Sequence, residues 1–399
     1  MLVSMSSQMI WLNFAGIFVP QMETIFNVGL DRLGFMLALW PLIFIPLSIP
    51  VGLVVDKWGF RKTVGLGAFL IALFSWLRIL AGTDFYVLLL FQTLAGIGQP
   101  FIFNGISKLA GNWFPKGEQT IANGIGAMGQ IIGLLMALLI TPVMVTGAFY
   151  HELWINMVVF SLFATVSFSL FAVHTREYPE GVTVPSVEHE NLVNQMKQVL
   201  LFRNIIVLMI LFLIGVGIFS GLISWIETIL ESSGISPFWG SIDGAVLLIG
   251  GIIGMVAISV ISEAYSKLKQ VLILNAGVSA VLLLLLSVPG SLLYYLLLSF
   301  GIGFFLVSMA PLGLQISLET VGEQRAGAAA GLLWLTSQVG AVILIEVMEL
   351  LAYYQSSLNI FPTSPWFMAL VFLGCLTLMA FALTFLIKDT RKSGGQIAN

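Results

Sequence analysis

Charge is what this chain has least of: Asp, Glu, Lys and Arg together make 9% of its 399 residues. Soluble domains carry roughly 25%, so a water-facing shell around a globular core is excluded as the general plan. Cys375 is the one cysteine, which excludes an internal disulfide and any cysteine-based metal cluster. The three histidines, His151, His174 and His189, fall at or beyond the ends of apolar stretches and are too scattered to hold a metal together. No phosphate-cradling glycine loop, dinucleotide fingerprint or nucleophile motif is present. No cofactor, metal or nucleic-acid partner is therefore expected, and no catalytic residue.

Apolar residues fill the space that charge leaves. They make 59% of the chain and fall into twelve stretches, the first at 2–26 and the last at 366–387. Each is close to the roughly 20 residues that a helix needs to cross a bilayer. The polar breaks lie near 27–33, 56–62, 82–85, 111–118, 145–152, 175–203, 231–238, 263–269, 288–291, 319–326 and 353–364, and only 175–203 is longer than a tight connection. No soluble domain fits into any of them. The chain reads as an all-α membrane protein with twelve transmembrane helices. It opens in an apolar stretch without a basic leader or small-residue cleavage site, which reads against a cleaved signal peptide.

Positive charge sets the orientation. With alternate breaks on the inside, 14 of the 16 Lys and Arg are cytoplasmic, and only Arg32 and Arg78 face outward. Both termini are then cytoplasmic, and a plasma or inner membrane is expected. Nine acids against two bases on the outer side would favour cations there, although part of that excess is the complement of the inner charge. Arg78, near the outer end of stretch 3, is expected to snorkel to the interface rather than bind an anion.

The landmarks repeat. Asp56–Lys62 follows stretch 2 and Glu263–Lys269 follows stretch 8, offset by 207; Gly117-Glu118-Gln119 and Gly322-Glu323-Gln324 are offset by 205; Gln130 and Gln338, each closely followed by Gly, are offset by 208. The predicted organisation is a six-helix bundle at 1–174, a cytoplasmic connector at 175–203 with an amphipathic run at 192–201, a second bundle at 204–388 and a tail at 389–399. Two parallel six-helix halves around a central cavity describe the major facilitator architecture. Asp56, Gly59, Arg61 and Lys62 resemble the acidic–Gly–basic loop that major facilitators carry after helix 2. In that role they would form a cytoplasmic gate; an ordinary positive-inside turn is the plainer alternative.

A narrower resemblance rests on polar residues in a fixed order. They are Ser4-Met5 and Trp11; Gln92 to Gln99, then Ser107-Lys108 and Asn112-Trp113-Phe114; Gly129-Gln130; and Gly303-Phe-Phe305, Pro311-Leu-Gly313, Glu319-Thr320, Glu323, Gly331-Leu-Leu333 and Gln338. This set is similar to the transporters related to the feline leukaemia virus subgroup C receptor, and covers most of the helices. Family members move choline or ethanolamine, and some have been assigned haem. The resemblance implies that Trp11, Gln130 and Gln338 face the solute. The family's choline transporters also use a Tyr after a Phe on helix 7; here the pair is Phe219-Ser220, a departure from the choline pattern.

The residues argue independently of the family. Gln130 and Gln338 lie 11 and 14 residues from Gln119 and Gln324, or roughly 15–20 Å at 1.5 Å per residue. An amide that deep needs a partner, either a neighbouring helix or a solute. Trp11 is about 15 Å from Met1, too deep for the usual interfacial use of Trp. Its ring face would suit a cation; plain packing is the alternative. Gln8 lies one turn below on the same face. Ser220, Ser224 and Glu227 share one face of stretch 7, and Trp334, Gln338 and Glu349 one face of stretch 11, with Glu346 off that stripe. They read as pathway-lining, with Gln99 joining them, although Glu349 and Glu23 also suit helix ends in the headgroup layer. The glycines read as close helix contacts, Gly250 and Gly254 within the chain rather than across a dimer, and Gly215-Val-Gly217 as a possible kink in a gate.

The expected function is transport of a small polar or cationic organic solute, choline- or ethanolamine-like, by alternating access, in a monomer. The alternatives are a proton-coupled organic anion symporter or drug efflux pump, and, from other classes, a membrane receptor or an embedded enzyme.

Overall fold

The computed structural model describes residues 1–13, 19–115, 119–179, 192–265, 267–322, 325–358 and 364–388. Lys116, Gly117, Glu118, His189, Glu323, Gln324, Arg391 and Lys392 lie outside the described residues, as do the side chains of Asp56 and Glu263.

Among the described residues there are helices and no strands. In chain order they are α1 (Leu2–Leu12), α2 (Val19–Phe26), α3 (Leu30–Leu77), α4 (Phe85–Gly96), α5 (Gly98–Trp113), α6 (Gln119–Met144), α7 (Tyr150–His174), α8 (Leu192–Val199), α9 (Arg203–Glu231), α10 (Pro237–Ala264), α11 (Leu268–Leu286), α12 (Leu292–Ile302), α13 (Met309–Val321), α14 (Ala326–Leu358) and α15 (Phe367–Thr384). Ten described runs are long and apolar enough to cross a bilayer, from Leu30–Val55 to Phe367–Thr384. Two shorter apolar helices, Leu2–Leu12 and Met128–Met144, lie in the first and fifth apolar stretches.

The chain divides into two compact units. The first is Met1–Val187 with Ser224–Thr228 and Ser236–Ala245; the second is Glu188–Ile223 with Ile229–Ile235 and Val246–Asn399.

In the first unit α1 packs on α6 through glycines that follow Gln130's neighbourhood. A side-chain carbon at Gly129 would stand 2.9 Å from the Met1 carbonyl, and one at Gly133 would collide with the Met5 carbonyl. Without hydrophobic driving force between helices in lipid, such small residues supply the close contact. The second unit uses the same device: a carbon at Gly340 of α14 would collide with the Leu213 carbonyl of α9, and one at Gly217 would meet the Gly340 carbonyl at 2.7 Å. Each of the two Gln-bearing helices is thus in close glycine contact with another helix of its own unit, α6 with α1 and α14 with α9. Gly217 is therefore a contact residue, and α9 runs as helix without a break through Gly215 and Gly217, against the expected kink. Gly250 and Gly254 of α10 abut the Phe300 and Phe304 carbonyls within the same unit.

Candidate functional site

The end of α1 is the best-defined polar centre of the first unit. Trp11 is buried, and its indole N–H donates to the Leu37 carbonyl of α3 at 3.0 Å. Helix α1 ends at Leu12, with Asn13 as its C-cap. Side chains from two other segments donate to carbonyls of its last described turn. Gln92 Nε2 of α4 donates to the Ile10 carbonyl at 3.1 Å and to the Trp11 carbonyl at 3.4 Å. Arg78 Nη1 donates to the Ile10 carbonyl at 3.3 Å, to Asn13 Oδ1 at 3.1 Å and to Gln92 Oε1 at 2.8 Å. Asn13 Nδ2 in turn donates to Asn156 Oδ1 of α7 at 3.3 Å.

The expectation that Arg78 snorkels is therefore corrected. Its side chain is fully buried, at 0% exposure, because a 3-10 turn at Arg78–Ala81 ends α3 and the guanidinium finds carbonyl and amide acceptors on α1 and α4. Arg78, Gln92, Asn13 and Asn156 were missed as site residues. The sequence signal was there: a cation, two Asn and a Gln, each inside an apolar stretch.

Gln8 and Gln99 are buried, each 4% exposed, and among the described residues the side-chain oxygen of each has no hydrogen-bond partner. Gln8 faces α6, where a carbon at Gly133 would stand 2.9 Å from its Cβ. Trp40 Nε1, fully buried in α3, has no acceptor among the described residues and lies against Gly96, three residues before Gln99. Gln130, on α6 between Gly129 and Gly133, is half-buried.

In the second unit Ser220 is buried on α9, and Gln338 and Trp334 are half-buried on α14. The Trp334 ring meets Phe212 edge-to-face with centroids 6.0 Å apart. Glu349 is buried nine residues before the end of α14, so it does not close that helix in the headgroup layer. Glu227, which belongs to the first unit with Ser241, is buried at 1% exposure and accepts from Ser241 Oγ at 3.5 Å.

The loop at 56–62 has a partner that sequence reading passed over. Gly59 takes φ 79°, ψ 166° and reverses the chain within α3. The first amides after it, of Phe60 and Arg61, donate to the two carboxylate oxygens of Glu177 at 2.9 and 2.8 Å. Asn112 Nδ2 adds a third donor to Glu177 at 3.1 Å, and Arg61 Nη2 reaches the Ala172 carbonyl at 3.4 Å. A carboxylate at the start of a helix satisfies orphan N–H groups and the positive pole of the dipole. Lys62 is exposed.

Comparison with known proteins gives this architecture its class. The Major Facilitator Superfamily model matches residues 1–345. Solute carrier family 49 member A3 of Xenopus tropicalis is 24% identical over 87% of this chain and 75% of its own length. The choline/ethanolamine transporter flvcr2a of Danio rerio is 26% identical over 82% of this chain and 74% of its own. An uncharacterized protein of Archaeoglobus fulgidus is 34% identical over 51% of this chain and 91% of its own. Among solved structures, a D-xylose–proton symporter aligns with a TM-score of 0.78 at 13% identity, covering 98% of this chain and 97% of that one. A bacterial homolog of the human lysosomal transporter Spinster aligns with a TM-score of 0.70 at 16% identity, covering 98% and 95%. The named relatives and the solved structures are transporters, not enzymes, and the solved structures share this fold. With ten described helical runs long and apolar enough to cross a membrane and this family match over most of its length, the chain belongs to the major facilitator superfamily.

Proposed function

We propose that this transporter moves a small, donor-bearing polar or cationic organic solute, of the choline or ethanolamine class, by alternating access. The observation that carries the reading is the state of Trp11. Its polar edge is already tied to Leu37, so what remains for recognition is the ring face, which attracts cations. Gln8 and Gln99 add buried carbonyl oxygens without donors among the described residues, and an ammonium or hydroxyl would satisfy them whereas a carboxylate would not. The substrates named for flvcr2a and for its human counterpart support the same class. The proposed contacts are Trp11, Gln8, Gln99 and Gln130 in the first unit, and Ser220, Trp334 and Gln338 in the second. Asp56, Gly59, Arg61 and Lys62 form the gate. Both termini are proposed to face the cytoplasm of a plasma or inner membrane, and the working unit to be a monomer.

Proton-coupled transport is the second reading, favoured by the buried Glu227 carboxylate. Proteoliposomes separate the two: uptake of ethanolamine and choline against carboxylates, with and without a proton gradient. Carboxylate uptake driven by the gradient, with no amine uptake, would replace the first reading by the second.

A further inference from the structure

We propose that Arg78 and Gln92 are positioning residues that set the place and orientation of Trp11, and through it the affinity for the solute. The inference rests on the reading that Trp11 contacts the solute. The last described turn of α1 lies inside the first apolar stretch, and its Ile10 and Trp11 carbonyls take side-chain donors from other segments of the same unit. Gln92 donates to both with one amide group. Arg78 doubles the bond to Ile10 and holds Gln92 and Asn13 in place with the same nitrogen. Trp11 is consequently fixed twice, its backbone carbonyl by Gln92 and its indole N–H by Leu37. An aromatic face so held loses little freedom when a solute arrives, which raises affinity without any new contact.

The arrangement also makes a specific substitution informative. Gln92→Glu keeps an acceptor for Arg78, so the buried guanidinium stays paired. It removes the donor to the Ile10 and Trp11 carbonyls and sets a carboxylate against them. Arg78→Lys keeps the cation but loses the planar fork, and serves where Gln92→Glu proves too unstable to purify. Neither side chain reaches the solute in this account, so both act through Trp11.

The test is a double-mutant cycle on purified protein, with choline and ethanolamine as probes and melting temperature recorded for each variant. Gln92→Glu, or Arg78→Lys, should weaken binding roughly 5-fold or more, and add little to the loss already caused by Trp11→Ala. A merely structural role would give losses that multiply. Wild-type affinity in both Gln92→Glu and Arg78→Lys, with Trp11→Ala impaired, overturns this inference and leaves the Trp11 reading standing. So do multiplicative losses. Wild-type affinity in Trp11→Ala, or binding of neither probe, overturns the Trp11 reading and this inference with it.

Discussion

The carboxylate of Glu177 occupies the space in which a side chain at Gly59 would have to stand. A carbon built on Gly59 lies 2.5 Å from the Glu177 carboxyl carbon. The glycine is needed twice, for its φ of 79° and for that room. Gly59→Ala should therefore cost about 1–3 kcal/mol, read as a lowered melting temperature, and should slow transport. Glu177→Ala should lower stability too, because the Phe60 and Arg61 amides lose their acceptor. A transport rate equal to wild type in both variants would leave the loop as an orientation signal only.

The repeat predicts paired behaviour in the two units. Gly133→Val and Gly340→Val each drive a side chain into a backbone carbonyl of the adjoining helix, Met5 in one unit and Leu213 in the other. Each should destabilise by about 1–3 kcal/mol, measured by thermal unfolding in detergent. A neutral result at one site alone would break the equivalence.

Much of this was legible in the sequence, because bilayer-length apolar runs and a repeat offset are properties of the chain itself. The close contacts of Gly133 and Gly217 followed from the preference for small residues at membrane helix contacts. What was not legible were choices between partners. A guanidinium near the outer end of a span can snorkel or turn inward, and only the carbonyl of Ile10 and the amide of Gln92, brought up on other helices, decide it for Arg78. Glu177 was hidden for a related reason: its amide partners are 116 and 117 positions away, and it stands in a stretch that reads as connector.

Topology is open to a direct test. Thr83 and Asn194 are both exposed, and single cysteines there, in a Cys375→Ser background, should react with membrane-impermeant maleimide from opposite sides. Thr83→Cys is expected to label from outside and Asn194→Cys from inside. Labelling of both from one side would contradict the orientation.

Ser220 tests the solute class from the second unit. It stands where family choline transporters have an aromatic, and it is buried on α9. Ser220→Tyr should improve choline binding relative to ethanolamine, by adding an aromatic face for a quaternary ammonium. No change in the ratio of the two affinities would detach Ser220 from recognition.

The central claim is that the ring face of Trp11 binds the solute, and equilibrium binding of choline and ethanolamine to Trp11→Ala tests it most directly. Loss of a desolvated cation–π contact should weaken binding by ~1–2 kcal/mol, roughly 5–30-fold. Trp11→Phe, which keeps a weaker face, should lose less, and Trp11→Ala should still purify as folded protein. Wild-type affinity in Trp11→Ala would contradict the account and leave Trp11 as a packing residue tied to Leu37.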